Sequence, residues 1–455
     1  MEMNQESTIA AISTALGDGA ISIVRLSGKD AVFILNQVFV PKRQNKTESH
    51  KLTYGTIHRD GTTLDEVLVA IMLAPNTYTK EDVVEINCHG GLTSARTILS
   101  LLLDKGARLA EPGEFTKRAF LNGRIDLTQA EAVIDIIYAK TNVARHVAVN
   151  MLQGQLGTLV RQLRGDILTA IAALEVAIDY PDEGYFSEHE QVKACIRESQ
   201  VAIEEIIDAA KWDNILKNGI DTVILGQPNV GKSSLLNTLL KEERAIVTDI
   251  PGTTRDIITA SLNINSIPIN IIDTAGIRQT EDVIEQMGQE RAFRYVDQAD
   301  LVMVVLDGSQ AIEQADLDLI EKAKANEKNV ILLVNKIDLN VAVDLTVLDS
   351  YACPVVKISA KEALGIEAID TAVSSFYPNV DVASELMVAN MRHKASLVEA
   401  LEALNRGQTS MEMGQSEEFV SMDLTNAYEA LGVILGEEMD EDIINKIFSD
   451  FCLGK

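Results

Sequence analysis

The chain has 455 residues, of which 68 are acidic and 40 are basic, so its formal net charge is −28. This length predicts several domains, and a charge this negative disfavours broad, non-specific binding to polyanions. The 4 cysteines show no paired spacing and no stretch approaches an apolar membrane span, which excludes a disulfide framework, a zinc cluster and a spanning helix and favours the cytoplasm.

The sequence pattern of residues 1–120 predicts a mixed α/β domain. Strands are expected at Ile21–Leu26, Glu66–Leu73 and Asp82–Cys88, because apolar residues alternate or cluster there. A glycine turn follows the third strand, and the spacing then predicts a helix from Thr93 to Lys105.

The start of a helical region is predicted from a capping pattern. Thr128 and Glu131 have the Ser/Thr-x-x-Glu spacing in which each side chain accepts a backbone N–H from the other residue. Thr128 is therefore the expected N-cap of the first helix in this region.

Residues 121–217 and 381–455 have helical spacing on both sides of an α/β segment. In the first block, leucine and isoleucine recur every three or four residues from Leu152 to Ile178, which is typical of one long amphipathic helix. Two helices are predicted in the second block, Met391–Leu404 and Glu417–Leu435. A block this short buries little apolar surface alone. We therefore predict one all-helical domain with an α/β domain, residues 218–380, inserted into it.

Residues 226–233 read Gly-Gln-Pro-Asn-Val-Gly-Lys-Ser, which matches the phosphate-binding pattern G-x-x-x-x-G-K-[ST]. The apolar run Thr222–Leu225 precedes this loop and a helical pattern follows it, as the motif requires. Glycines let backbone N–H groups approach phosphates, so we expect Lys232 to reach the β/γ oxygens and Ser233 to ligate Mg²⁺.

Three further motifs follow apolar strands in the order found in GTP-binding domains. Asp273–Gly276 places an aspartate where it can hold the Mg²⁺ shell. In Asn335–Asp338, the carboxylate of Asp338 can accept both N–H groups of the guanine edge, a pair that adenine does not offer. Ser359–Lys361 forms a loop suited to backing the same base. The four motifs together predict an α/β P-loop domain that binds GTP.

The group that orients the attacking water is not evident from these motifs. Ras-like proteins carry a glutamine just after the Asp-x-x-Gly turn, whereas this chain has Ile277. Thr253, Thr254, Arg255, Glu285 and a partner protein are all candidates for that role. The spacing around Glu285 is also that of a solvated carboxylate on a helix.

Two segments outside the GTPase motifs are distinctive, Glu111–Arg124 and Phe451–Lys455. With those motifs, they make the whole chain resemble the bacterial tRNA-modification GTPases of the MnmE (TrmE) family. The resemblance implies a homodimer, paired through the N-terminal domain, that acts with the FAD-dependent partner MnmG (GidA). It further implies that the two proteins add an aminomethyl or carboxymethylaminomethyl group to carbon five of the wobble uridine of certain tRNAs, using a folate one-carbon unit.

The same resemblance implies that a tetrahydrofolate derivative (5-formyl- or methylene-tetrahydrofolate) binds in the N-terminal domain. The matching positions are Arg25, Glu85, Arg124 and Lys455. Cationic side chains can meet the folate carboxylates, and Glu85 can accept from pterin N–H groups. From the residues alone, each of the four is equally a surface or ion-pair residue. Cys452 is a candidate nucleophile, and it also fits a simply buried thiol.

The resemblance implies, in addition, that a potassium ion supplies the positive charge that an arginine finger supplies elsewhere. The matching potassium ligands are Asn229, Thr248, Ile250 and Thr253. Thr254 matches the second Mg²⁺ ligand beside Ser233, and Glu285 matches the residue that orients the attacking water through another water. The positions implied to contact GTP are Asn229, Val230, Gly231, Lys232, Ser233, Ser234, Thr248, Thr253, Asp273, Thr274, Ala275, Gly276, Asn335, Lys336, Asp338, Ser359 and Ala360.

The GTPase motifs also fit a protein of another class, a GTP-switched RNA-binding assembly factor without modification chemistry. Such a factor is expected to carry a basic RNA-binding module, and this acidic chain shows none in its sequence. The N-terminal 120 residues and the cysteine-containing C-terminal segment therefore favour the modification enzyme. The predicted fold class is multidomain α/β plus α, with the GTPase domain inserted into a helical domain and preceded by a mixed α/β folate-binding domain.

Overall fold

The computed structural model describes residues 7–15, 17, 19–43, 48–139, 141–180, 186–210, 215, 218–240, 258–265, 267–272, 295–297, 299–325, 328–340, 342–377, 390–437, 439–449 and 451–455. The chain divides into two compact units. The first unit comprises Met1–Ile134, Met151–Gly184 and Gln415–Lys455, and the second comprises Asp135–Asn150 and Tyr185–Gly414.

The first unit contains a sheet of 7 strands. Its strands are β1 (Ile9–Ile12), β2 (Ile21–Ser27), β3 (Phe39–Pro41), β4 (Lys51–Arg59), β5 (Thr62–Met72), β6 (Val83–His89) and β7 (Arg108–Leu109). Their order in the sheet is β3-β4-β5-β6-β2-β1-β7, antiparallel except for the β1–β7 pair. All three strands predicted for this region are present: β2 and β6 match their predicted bounds to within one residue, whereas β5 begins at Thr62, four residues before the predicted start at Glu66.

The second unit contains a sheet of 6 strands. They are β8 (Ile220–Gly226), β9 (Ile258–Ile264), β10 (Ile267–Ile272), β11 (Leu301–Asp307), β12 (Asn329–Asn335) and β13 (Val355–Lys357). Their order is β13-β12-β11-β8-β10-β9, parallel throughout except for β9. Successive buried residues of β11, such as Met303 and Val304, pack into different apolar clusters, as expected for a parallel sheet covered on both faces.

The helices lie between and after these strands. In chain order they are α1 (Ala31–Asn36), α2 (Leu92–Asp104), α3 (Glu114–Leu121), α4 (Leu127–Tyr138), α5 (Asn142–Leu152), α6 (Gln155–Asp179), α7 (Phe186–Ala210), α8 (Lys232–Leu239), α9 (Gln314–Lys324), α10 (Thr346–Asp349), α11 (Glu367–Phe376), α12 (Met391–Glu412), α13 (Glu417–Leu435) and α14 (Glu441–Ser449). The predicted helix Glu417–Leu435 is confirmed at both ends, and the helix predicted from Met391 continues to Glu412.

The predicted N-cap of α4 is wrong. The helix begins one residue before Thr128, and the capping side chain is that of Asp126. Asp126 Oδ1 accepts from the Gln129 backbone N–H at 3.0 Å, while Gln129 Oε1 accepts from the Asp126 N–H at 3.1 Å. This is a reciprocal capping box of the same type, shifted two residues towards the N-terminus because Asp126 directly precedes the first helical residue.

The long helix predicted for the apolar stripe is confirmed as α6, which carries every stripe residue from Leu156 to Ile178; Leu152 alone belongs to the preceding helix. Helix α5 ends at Leu152 and α6 begins at Gln155. Between them, Gly154 has a φ of +83°, a left-handed conformation that glycine adopts without the steric penalty of other residues. The pattern of apolar residues continues across the break, so periodicity alone did not reveal it.

Helices from before and after residues 218–380 pack together within each unit. In the first unit α6 packs on α13, where Arg164 lies 4.0 Å from the Tyr428 ring centre and donates to Glu437 at 2.6 Å. In the second unit α7 packs on α12, where Gln200 hydrogen-bonds Asn405. No helix in the part of the chain described here has the length and apolar character needed to span a bilayer.

Candidate functional site

The loop after β8 has the backbone geometry of a phosphate-binding loop. Gly226, Asn229 and Gly231 all have positive φ, at +156°, +59° and +101°. A Cβ on Gly231 would lie 2.2 Å from Asn335 Nδ2, so glycine is required there for a steric reason as well. Helix α8 starts directly after this loop, which directs its N-terminal N–H groups and partial positive charge towards the concave side of the loop.

Lys232, the first residue of α8, folds back over this loop. Its Nζ donates to the carbonyl oxygens of Gly226 at 3.1 Å and Gln227 at 2.8 Å. The ammonium group is therefore held at the mouth of the loop among oxygen acceptors, and phosphate oxygens offer the same kind of acceptor. Ser233 and Ser234 follow and are exposed, so the Ser233 hydroxyl is accessible to a metal ion.

Asn335 connects three of the predicted motifs. Its Nδ2 donates to the Val230 carbonyl at 2.7 Å, and its Oδ1 accepts from the Ala360 N–H at 2.9 Å. The residue is buried, so both bonds are shielded from water. One side chain thus fixes the distance between the phosphate loop and the loop expected behind the base.

Asp338 is oriented by a residue from the next motif. Ser359 Oγ donates to Asp338 Oδ1 at 2.6 Å, and Ser359 itself is fully buried. Thr238 of α8 donates to the Ala360 carbonyl at 2.6 Å and so ties the same loop to the helix. Asp338 remains exposed at this edge of the sheet, where its carboxylate can accept hydrogen bonds from a base.

The sequence reasoning missed Asp307, which ends β11 beside the phosphate loop. Asp307 Oδ2 accepts from Lys336 Nζ at 2.6 Å, and Oδ1 accepts from Ser309 N–H at 3.0 Å and from Ser309 Oγ at 2.6 Å. Burial by itself raises the pKa of this carboxyl, but the bonds from Lys336 and Ser309 outweigh burial and hold the pKa below its ordinary value. The sequence did contain a signal for Asp307, because it directly follows an apolar run, as Asp273 and Asn335 of the GTPase motifs do.

Other predicted positions of the GTP site lie outside the described residues. They are Thr248, Ile250, Thr253, Thr254, Asp273, Thr274, Ala275, Gly276 and Glu285, together with Arg255 and Ile277. Their roles stay predictions. The described part of the site therefore comprises the phosphate loop, the base-reading loop and the loop behind the base.

The first unit brings the predicted folate residues Arg25 and Glu85 into contact. They are direct cross-strand partners in β2 and β6. Arg25 Nε and Nη2 lie 2.9 Å and 2.8 Å from Glu85 Oε1, and both side chains are half-buried. Because two donors of the guanidinium are engaged by one carboxylate oxygen, Glu85 keeps its second oxygen for another donor.

Tyr78 lies close to both predicted arginines. Its ring centre is 4.8 Å from the Arg124 guanidinium carbon and 6.0 Å from that of Arg25. Arg25 also lies 5.5 Å from the centre of the buried Phe115 ring. The structure therefore places Arg124 near Arg25 through an aromatic ring that sequence reasoning had not singled out.

The C-terminal residues reach the same site. Arg25 Nη1 lies 3.4 Å from the Gly454 carbonyl oxygen, and Ser13 Oγ donates to the same oxygen at 3.1 Å. Lys455 follows directly and is half-buried, as is Cys452. All four cysteines, which lie among the described residues, are outside disulfides.

A sheet that is parallel except for β9, a phosphate loop at the end of β8 and a carboxylate that can read guanine show that the second unit contains a P-loop GTPase fold. The MnmE helical domain model matches residues 127–452, and the model of the GTP-binding protein TrmE N-terminus matches residues 8–124. The tRNA modification GTPase MnmE of Listeria welshimeri is 45% identical over 98% of this chain and 99% of that protein. The corresponding Bacillus cereus protein is 47% identical over the same shares of both chains.

Among solved structures, the G domain of the T. maritima FeoB iron transporter matches over 35% of this chain and 98% of its own length, at 26% identity and a TM-score of 0.26.

The family models and the two relatives establish the family. The chain belongs to the MnmE family of tRNA modification GTPases, and it is a GTP-hydrolysing enzyme.

Proposed function

We propose that this chain hydrolyses GTP as part of the modification of tRNA at carbon five of the wobble uridine, together with an FAD-dependent partner of the MnmG (GidA) type. The observation that carries the proposal is that similarity to proteins named tRNA modification GTPase MnmE covers 98% of this chain and 99% of the relative. We also propose that the GTPase domain is inserted into a helical domain, which the packing of α6 on α13 and of α7 on α12 supports.

GTP is proposed to bind along the carboxyl ends of β8 and β12. Backbone N–H groups of the phosphate loop and Lys232 bind the phosphates, and Asp338 accepts from the guanine edge. Ser233, exposed at the start of α8, fits a Mg²⁺ ligand because its hydroxyl lies beside the phosphate loop. Bound Mg²⁺ would neutralise charge on the transferred phosphoryl group.

A potassium ion is proposed to assist hydrolysis. Asn229 is the proposed ligand within the described residues, and it has a left-handed φ of +59° in the phosphate loop and an exposed side chain. Its amide oxygen can coordinate a hard cation, whereas a small apolar side chain at this position could not. Replacing potassium chloride by sodium chloride at equal ionic strength should slow hydrolysis sharply in the wild type. Asn229→Ala should retain nucleotide binding and lose that difference; equal rates in both salts for the wild type would contradict the proposal.

The site around Arg25 and Glu85 is proposed to bind a tetrahydrofolate derivative. Glu85 offers a carboxylate oxygen to pterin N–H groups, and Arg25 fixes the orientation of Glu85. Arg124, which is exposed beside Tyr78, and Lys455 are the cations proposed to meet the folate carboxylates. Calorimetric titration with 5-formyl-tetrahydrofolate should show weaker binding for Glu85→Gln than for wild type.

Glu66→Gln is the matched control for that titration. Glu66 lies on the neighbouring strand β5, is exposed and pairs with Lys42 rather than with Arg25. Equal loss of binding in Glu66→Gln and Glu85→Gln would refute the assignment of Glu85.

A homodimer formed through the first unit is also proposed. Leu52, Tyr54 and Leu68 lie on one face of β4 and β5, since Tyr54 pairs with Leu68 and Leu52 is two residues away. They are 64%, 41% and 42% exposed, and Val40 on β3 adds to the same face. An apolar patch of this kind supports a protein interface. Light scattering on Leu68→Glu should show monomers where the wild type is dimeric.

The whole proposal is tested in cells that lack this chain. Mass spectrometry of tRNA nucleosides should show wobble uridines without the carbon-five group, and restoring the wild-type chain should return it. Lys232→Ala should fail to restore it, whereas Lys193→Ala, which removes a lysine paired with Glu190 on α7, should succeed. Unchanged nucleosides in the deletion would refute the function and favour an assembly factor.

A further inference from the structure

The C-terminal residues 451–455 are anchored in the first unit by an aromatic cluster. Phe451 is 6% exposed, and its ring centre lies 5.0 Å from that of Phe448. Phe448 in turn lies 6.4 Å from Phe120 of α3. This anchoring fixes the start of the segment; Cys452 follows directly, and Lys455 is its last residue.

Two backbone carbonyls of the segment are then held by hydrogen bonds. The Gly113 N–H donates to the Cys452 carbonyl at 3.3 Å. The Gly454 carbonyl accepts from Ser13 Oγ at 3.1 Å and from Arg25 Nη1 at 3.4 Å. Because Arg25 also pairs with Glu85, the segment is tied directly to the proposed folate site.

Both glycines are required at these contacts for steric reasons. A Cβ on Gly113 would lie 2.8 Å from the Phe448 carbonyl oxygen and 2.8 Å from Phe451 Cβ. A Cβ on Gly454 would lie 2.2 Å from the Ile12 carbonyl oxygen, and the φ of Gly454 is +88°. Any side chain at either position therefore displaces the segment or the backbone against which it lies.

We propose that Gly113 and Gly454 are positioning residues that hold the C-terminal segment, with Cys452 and Lys455, against Arg25 at the folate site. The expected effect on folate binding rests on the proposed folate function, but the docking of the C-terminal segment can be measured without folate. It also accounts for the two distinctive sequence segments, since Glu111–Arg124 supplies Gly113 and Phe451–Lys455 supplies the residues that dock there.

Alkylation of Cys452 measures the docking. The full-length protein is treated with iodoacetamide, and the modified fraction of the Cys452 peptide is followed by mass spectrometry. Gly454→Ala should raise the alkylation rate roughly tenfold, because the clash with Ile12 releases a thiol that is half-buried when docked. Ser13→Ala, which removes one hydrogen bond without adding atoms, should raise the rate by a smaller factor. Cys88, buried on β6, serves as an internal reference that stays unmodified in every folded variant.

Gly61→Ala is the matched control. Gly61 has a φ of +84°, close to that of Gly454, but its added Cβ would meet nothing within 4 Å. It therefore carries the same backbone penalty without the clash, and its Cys452 alkylation rate should equal that of the wild type. Equal rates in Gly454→Ala, Ser13→Ala and the wild type would overturn the proposal.

A second measurement separates this proposal from the folate proposal. Binding of 5-formyl-tetrahydrofolate should weaken in Gly454→Ala and persist in Gly61→Ala, while binding of a fluorescent GDP analogue should be the same in both. If the wild type binds no folate while Gly454→Ala is still alkylated faster than the wild type, the positioning role stands and the folate function is refuted. Unaltered folate binding in Gly454→Ala with fast alkylation would overturn the proposed consequence of docking.

Discussion

The ion pair between Asp307 and Lys336 is expected to set the affinity for guanine nucleotides. Lys336 belongs to the base-reading motif and has a left-handed φ of +65°, while its Nζ is held by Asp307 at 2.6 Å. Asp307→Asn preserves the shape and an acceptor oxygen but removes the negative charge. Hydrogen bonds to charged groups contribute about 1.5–3 kcal/mol and neutral ones about 1 kcal/mol.

These contributions differ by about 0.5–2 kcal/mol. The side chains of Asp307 and Lys336 are 12% and 30% exposed, which places the expected loss in the lower half of that range. We expect a loss of about 1 kcal/mol, or roughly fivefold weaker binding of a fluorescent GDP analogue in an equilibrium titration. The control is Asp344→Asn. Asp344 accepts from Thr346 N–H at 3.0 Å and from Thr346 Oγ1 at 2.7 Å, the same local pattern that Asp307 makes with Ser309, without a lysine.

The pH dependence gives a second check on the same pair. Since hydrogen bonds from Lys336 and Ser309 hold the pKa of Asp307 below its ordinary value, the carboxylate is charged at neutral and mildly acidic pH. The stabilisation is lost only as pH falls through the lowered pKa. The ratio of wild-type to Asp307→Asn affinity should therefore be constant between about pH 5 and pH 8. Equal affinities of both proteins, or an equal loss in Asp344→Asn, would refute the reasoning.

Three other outcomes are expected. Lys232→Ala should abolish nucleotide binding because the ammonium lies at the mouth of the phosphate loop. Glu285→Ala, at a position outside the described residues, should retain binding and lower turnover. Equal loss of binding in both variants would contradict these roles. Asp338→Asn should lose the preference for GTP over ATP in competition titrations, and unchanged selectivity would count against base reading by this carboxylate. Asp65 Oδ1 accepts a hydrogen bond from His89 Nδ1, which raises the pKa of the exposed His89 ring. The resulting stabilisation is present at pH below the ordinary His pKa and disappears as pH rises through the raised value. Asp65→Asn should therefore lower the His89 pKa in an NMR titration, and an unmoved titration curve would show that the pair has no effect in solution.

Local patterns in the sequence were sufficient to predict much of the secondary structure of this molecule. The strand before the phosphate loop, the loop and α8 were all predicted, because each depends on residues adjacent in sequence. The N-cap was predicted at Thr128, two residues too late, since both Thr128 and Asp126 are capping residue types; in the structure Asp126 caps the helix and the Thr128 hydroxyl donates to it. The break at Gly154 was missed because apolar periodicity continued across it.

Long-range contacts account for what sequence reasoning missed. Asp307 and Lys336 are brought together because β11 and β12 are adjacent parallel strands paired from Leu301 to Asp307. Tyr78 and Arg124 meet through the packing of a loop on the end of α3, and neither residue belongs to a pattern that predicts the other.

The sequence alone was enough to predict GTP binding and the residues expected to face the phosphates and the base, because these motifs are contiguous and follow their own strands. The tertiary structure alone decided that Asn335 connects the phosphate loop to Ala360, that Asp307 holds Lys336, and that Gly454 lies against Ile12. Those contacts join residues far apart in the chain, and they exist only when strand register and packing bring their atoms within a few ångströms.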